Sequence, residues 1–155
     1  MKIQIIIAGK VDNSSLNALA NMYLKRINYY SPAEFVQIKP EKIKSLSEAV
    51  IKNREGSKIL EKVSGSDFVV VLDRKGRQYS SKEFSQVLNR VAVESRKQLI
   101  FIIGGPLGVH DIVKQRADAI ISFSKMTFPH ELAAVMVLEQ IYRAFSILRG
   151  EKYHK

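Results

Sequence analysis

A chain of 155 residues is long enough for one domain with a buried core, and 46% apolar with 26% charged residues is an ordinary globular balance. Twenty-five Lys and Arg against 15 Asp and Glu leave a net charge of +10, which favours a polyanionic partner, nucleic acid ahead of an acidic membrane surface. The absence of cysteine excludes a disulfide framework, a thiolate metal site and a cysteine nucleophile and suits a reducing cytoplasm, while no apolar run approaches the roughly 20 residues of a membrane span.

Residues 2–8 (K-I-Q-I-I-I-A) form a short β-rich run that reads as a buried strand. Asn13 or Ser14 can cap a helix over 15–29, with Leu16, Leu19, Ala20, Tyr23 and Ile27 on one face. Residues 34–38 alternate as a second strand between Pro32 and Pro40. Ser45 and Glu48 have capping-box spacing, opening a charged helix to about Val63 that Gly65-Ser66 terminates. Residues 67–72 (D-F-V-V-V-L) predict a strand apolar on both faces, followed by a basic turn at 73–77. Ser80 and Glu83 form a second capping box, before a helix through Phe84, Val87, Leu88 and Val91. A fourth strand at 99–103, a short helix at 111–116, a fifth strand at 119–123 and a last helix at 130–149 complete the chain, with Pro129 in that helix's first turn and Gly150 after its end. Alternating strand and helix patterns predict one α/β domain over residues 1–155, with a mostly parallel sheet flanked by helices.

Ligands of parallel α/β sheets bind outside the carboxyl ends of the strands. Three loops emerge there: 72–77, 104–108 (G-G-P-L-G) and 122–129 (S-F-S-K-M-T-F-P). Glycines let backbone approach a ligand closely, and Pro106 restrains Gly105; the same residues also suit a tight turn that binds nothing. The P-loop and dinucleotide glycine signatures are absent, which disfavours a nucleotide triphosphatase or a nicotinamide reductase. His110, His130 and His154 lack metal-ligand spacing, so no metal is expected. Glu131 and Glu139 read as solvated or interface charges. The last helix carries seven consecutive apolar residues, 132–138, and then Ile141, Tyr142, Ala144, Phe145, Ile147 and Leu148. A helix apolar nearly all round cannot keep one side in water, so a homodimer through it is predicted; the alternative is a central helix of a larger monomer, for which 155 residues offer little covering material.

The succession F-I-I-G-G-P-L-G, S-F-S-K-M-T-F-P-H, L-E-Q-I-Y-R-A and the terminal Y-H-K resembles the bacterial large-subunit rRNA pseudouridine N3-methyltransferase family of the SPOUT superfamily. The likeness spans the whole chain and is most specific from Gln98 to Lys155. It implies a C-terminal trefoil knot, which no periodicity argument would yield, and S-adenosylmethionine as cofactor, bound by Leu72, Gly104, Gly105, Phe123, Ser124, Lys125, Met126, Thr127 and Phe128. It implies a pseudouridine in the helix 69 stem-loop of 23S rRNA, on the ribosome, as substrate, and a cytoplasmic location. Arg143, Tyr153 and His154 match the family's catalytic positions near the target nucleotide: Arg143 for phosphate or a base carbonyl, Tyr153 for stacking or hydrogen bonding, and His154 as the group whose ordinary pKa suits proton transfer near neutrality. Ala134 stands where many relatives carry arginine, so a phosphate or interface contact is expected from elsewhere, with Lys125 and Arg149 as candidates. Two other readings compete: a non-catalytic basic RNA-binding module that keeps the knotted fold, and a small-molecule enzyme with a nucleotide cofactor. The intact loops favour catalysis, and the charge disfavours the second.

Overall fold

A computed structural model describes residues 1–39, 46–94 and 96–154. Five parallel strands lie in the order β2-β1-β4-β3-β5: β1 (Lys2–Ala8), β2 (Ala33–Ile38), β3 (Phe68–Gln78), β4 (Gln98–Ile103) and β5 (Ala119–Ser122). The helices are α1 (Ser14–Ile27), α2 (Glu48–Leu60), α3 (Ser81–Val93), α4 (Asp111–Arg116) and α5 (His130–Leu148), followed by a 3-10 turn, Lys152–His154. Parallel strands need crossovers, and each crossover puts a helix on a sheet face. Both faces are therefore covered, which explains why β1, β3 and β4 read as continuous apolar runs. Ile3, Ile5, Ile7, Val70, Leu99, Phe101 and Ile103 meet α1, α3 and α5 in one core. Ile6, Val69, Val71, Ile100 and Ile102 meet Ile59 of α2 and Val113 of α4 in the other. The molecule is a three-layer α/β/α sandwich.

Several local expectations are corrected. Helix α1 stops at Ile27 and α2 at Leu60, each short of its predicted end at residue 29 or 63. Asn13 caps α1 by accepting from the N–H groups of Ser15 and Leu16. Ser45 lies outside the described residues, and α2 is capped instead by the Ser47 side chain on the Val50 N–H. The Ser80–Glu83 capping box is present in full on α3. The predicted basic turn at 73–77 is an interruption inside β3: Leu72 and Arg77 both pair with Ile121, so four residues bulge out before the strand resumes. At Gly76 a Cβ would meet β5 backbone atoms at 2.6–2.7 Å, so only glycine lets β3 return this close to its neighbour.

Helix α5 packs between α1 and α3 on the first core, burying Ala134, Val135, Val137, Leu138, Ile141 and Ala144. Much of the apolar circumference that the sequence assigned to a second copy is thus covered within one chain. Ala134 is fully buried and packs in this core. Among the described residues no helix is long and apolar enough to cross a membrane.

Candidate active site at the strand ends

The carboxyl ends of β3, β4 and β5 converge on a cavity of about 940 Å³. Loop 104–108 supplies its most constrained wall. Gly108 donates its N–H to the Gly105 carbonyl at 2.9 Å and holds φ +77, a left-handed conformation that glycine adopts without strain. A Cβ on Gly104 would lie 2.7 Å from the Gly108 carbonyl carbon and 2.8 Å from the Val109 nitrogen; one on Gly105 would lie 3.1 Å from the Ala8 carbonyl oxygen. The turn is closed onto itself and onto the end of β1, and Gly104, Gly105, Pro106, Leu107 and Gly108 all line the cavity.

The opposite wall follows β5. The Ser122 hydroxyl donates to the Ser124 carbonyl at 2.8 Å, and Ser124 Oγ accepts from the Met126 N–H at 3.0 Å, which folds the segment back on itself. Helix α5 then begins, and its first residues hold the loop after β1. Glu131 accepts from the N–H groups of Asp12 and Asn13 at 3.1 and 3.3 Å, and His130 Nε2 lies 3.1 Å from the Lys10 carbonyl oxygen. Glu131, expected as a solvated or interface charge, ties the start of α5 to the loop after β1. His110 caps α4, its Nδ1 accepting from the Ile112 N–H at 3.2 Å.

Eight of the nine cofactor residues expected from sequence line this cavity: Leu72, Gly104, Gly105, Phe123, Ser124, Met126, Thr127 and Phe128. Lys125 is exposed and lies outside the lining. Asp73, Arg74 and Leu107, from the loops that the sequence pointed to but not among its cofactor residues, also line it, as do Val109 and Ala133, which sequence reasoning missed. Asp73 pairs with Lys114 of α4 and accepts from the Lys75 N–H at 2.9 Å. Burial pushes its carboxyl upward, but the Lys114 hydrogen bond, the Lys75 N–H and the two lysine charges outweigh that and hold it below the usual aspartate value. An Asp-x-Lys sequence at a strand end was the available signal for this turn.

A second cluster forms where the chain ends against α5. Arg143 donates to Glu139 Oε1 through Nε at 2.9 Å and Nη2 at 2.6 Å. Its guanidinium lies 4.8 Å from the Tyr153 ring centroid. The Tyr153 hydroxyl reaches Glu139 Oε1 at 3.2 Å and the Tyr23 hydroxyl at 3.3 Å, and its ring packs edge-on to Tyr142. Glu139, expected as a solvated or interface charge, is therefore an anchor for the tail. Hydrogen bonding to Glu139 raises the Arg143 pKa, and desolvation with the Tyr23 and Glu139 hydrogen bonds raises that of Tyr153, so the phenol stays protonated at neutral pH. The structure thus brings Arg143 and Tyr153 together, and His154 closes the same 3-10 turn. Glu139 also lines a groove of about 490 Å³ along α5, together with Leu19, Tyr23, Phe84, Met136 and Gln140. Ile121, Ser122 and Phe123 line both this groove and the larger cavity, so the end of β5 borders the two.

The sequence matches known proteins along nearly its whole length. The family model described as "Predicted SPOUT methyltransferase" matches residues 1–154. A Clostridium acetobutylicum protein named Ribosomal RNA large subunit methyltransferase H is 43% identical, with 100% of both chains covered. Proteins of the same name from Enterococcus faecalis and Christiangramia forsetii are 40% and 45% identical, over 100% and 99% of each chain. A parallel α/β sandwich, a glycine turn and a strand-end cavity, carried on a sequence that matches the model from end to end, make this chain a member of the SPOUT methyltransferase family.

Proposed function

We propose that the chain is an S-adenosylmethionine-dependent methyltransferase of 23S rRNA that modifies N3 of a pseudouridine in the helix 69 stem-loop, on the ribosome. The observation that carries this reading is the full-length identity to proteins named as large-subunit rRNA methyltransferases. The net charge of +10 suits such a substrate. A cytoplasmic location and a C-terminal trefoil knot belong to the same proposal, the knot supported by family membership.

The cavity suits the cofactor. Its glycine turn has no room for a Cβ at Gly104, which leaves backbone groups to meet a nucleoside edge, and Leu72, Phe123 and Phe128 supply apolar walls for adenine. Ser124, Met126 and Thr127 complete that wall, and Lys125 stands outside it as a charge for RNA. When bound, the cofactor supplies a methyl group already activated by the sulfonium. The protein must then hold the base nitrogen in line and take away the N3 proton as the new N–C bond forms.

In this reading Tyr153, whose hydroxyl donates to Glu139, stacks on the base or accepts a hydrogen bond from it. Arg143, oriented by the same carboxylate, meets a phosphate or a base carbonyl. His154 takes the N3 proton, and His154→Ala retaining the full single-turnover rate would remove that role. A second copy of the chain docking through α5 is part of the proposal, supported by the apolar groove along that helix; a light-scattering mass of one chain at micromolar concentration would refute it.

The experiment that tests the whole is incubation with labelled S-adenosylmethionine and ribosomes lacking the modification, followed by mapping of the label. Label at N3 of the stem-loop pseudouridine is expected. Cofactor binding without transfer would favour a non-catalytic RNA-binding role.

A further inference from the structure

We propose that the bulge in β3, residues 73–76, together with Arg77, is a rigid phosphate-binding knuckle that grips the RNA backbone beside the cofactor cavity. This deepens the RNA-methyltransferase reading above and rests on it.

Because Leu72 and Arg77 share one partner, Ile121, residues 73–76 stand out of the ladder. The loop is fixed at three points. Asp73 accepts from the Lys75 N–H and pairs with Lys114 of α4, and Gly76 lies against the β5 backbone at a distance that leaves no space for a side chain. The fixed loop presents Arg74 and Lys75 to solvent, and Arg77 is exposed where the strand resumes.

Among the described residues these cations are not held in ion pairs, and what distinguishes them from other exposed lysines and arginines is the fixed loop that carries them beside the cavity. Lys2, Arg90, Arg96, Lys114, Arg116 and Arg143 are each ion-paired with a carboxylate. Among the described residues, Arg74, Lys75 and Arg77 form no such pair, although Asp73 and Glu83 lie within electrostatic reach of Lys75 and Arg77. The Arg77 guanidinium rests 4.8 Å from the Tyr79 ring centroid, which restrains it while leaving its donors available. Position supplies the rest of the argument. Arg74 lines the cofactor cavity, and Tyr79 lines the groove along α5. With Arg77 paired to Ile121, which lines both spaces, the knuckle sits beside their border, on the path of a strand that delivers a base toward the cofactor. Phosphate contacts fix register and orientation without reading sequence, and a pre-ordered loop loses little entropy in making them.

The test pairs two charge-matched variants. Lys75→Gln/Arg77→Gln removes two knuckle charges; Lys62→Gln/Lys97→Gln removes two exposed charges beside the amino ends of β3 and β4, at the other end of the sheet. Binding to unmethylated ribosomes is measured across a salt series, with S-adenosylmethionine affinity and unfolding temperature read in parallel. For the knuckle variant, binding at physiological salt weakens roughly tenfold and the slope of log K against log salt falls by about 1.5. Its S-adenosylmethionine affinity stays at the wild-type value, and the control variant moves neither binding quantity. Equal effects of the two variants, or no effect of either, overturn the proposal. If the double variant's unfolding temperature falls, Lys75→Gln alone is read, with an expected slope change of about 0.7. Binding is scored without methyl transfer, so a wild-type protein that binds ribosomes with this dependence but transfers nothing refutes the proposed reaction and leaves the knuckle standing.

Discussion

Gly104→Ala is the sharpest test of the cavity wall. The added methyl group would sit 2.7 Å from the Gly108 carbonyl carbon and 2.8 Å from both the Val109 nitrogen and its Cγ2. Two of those three atoms are backbone, so no rotamer change relieves the contact and the turn itself must open. Overpacking of this kind costs about 1–3 kcal/mol, and a chain of this size loses roughly 2–4 °C in Tm per kcal/mol. An unfolding temperature lower by about 2–12 °C is therefore expected. Because the displaced atoms form the cavity wall, cofactor affinity should fall by about 5- to 150-fold, the same energy read as a binding ratio. Two companions calibrate it. A Cβ at Gly65 meets nothing within 4 Å, so Gly65→Ala leaves both quantities near wild type. Gly108→Ala meets nothing either, but its φ of +77 costs about 1–2 kcal/mol of backbone strain, so it lowers Tm with a smaller effect on affinity. Calorimetric titration with S-adenosylmethionine and thermal unfolding by circular dichroism read the series. A Gly104→Ala protein with wild-type affinity and Tm would refute the assignment of this turn as a cofactor wall.

Gly76→Ala faces β5 backbone at 2.6–2.7 Å and should destabilise by about 1–3 kcal/mol in denaturant titration; a change under about 0.5 kcal/mol would show that the bulge is not held this tightly. Asp73 titrates below its usual value because Lys114 and the Lys75 N–H outweigh its burial, so its charged form stabilises the fold above the ordinary aspartate pKa, and that contribution is lost as pH falls through the folded value. Below about pH 4 the wild-type protein should therefore lose its stability margin over Asp73→Asn, and parallel stability-pH curves would contradict this. Glu139→Gln weakens the hold on Arg143 and Tyr153; a loss of about 1 kcal/mol is expected for a partly exposed charged hydrogen bond, with faster hydrogen exchange at residues 152–154, and unchanged exchange would mean that Glu139 does not hold the tail.

The sequence carried the fold well because its strands are apolar on both faces and its helices carry caps whose geometry is local. Asn13 and the Ser80–Glu83 box were legible for that reason. Ser47 was missed because Ser45 offered the more familiar spacing to Glu48. The bulge of β3 was read as a turn because Asp-Arg-Lys-Gly has turn composition; only the sheet registers Leu72 and Arg77 on the same residue of β5. The three strand-end loops were legible from the glycine cluster and the rule that ligands sit at the carboxyl ends of parallel strands. The role of Glu131 was not, since the Asp12 and Asn13 N–H groups it accepts from lie 119 and 118 residues away in sequence; nor were the pairing of Asp73 with Lys114 and the contact of Glu139 with Tyr153, although Asp73 lies in the first of those loops and Glu139 has i,i+4 spacing to Arg143. The apolar circumference of α5 was visible, but not that α1 and α3 would cover so much of it.

The cavity at the ends of β3, β4 and β5 is the centre of this account, and a structure of the protein with S-adenosylmethionine bound tests it most directly. The account predicts the cofactor against Leu72, the Gly104–Gly105 backbone and residues 123–128. A cofactor lodged instead in the groove beside Glu139, with the strand-end cavity free, would contradict it.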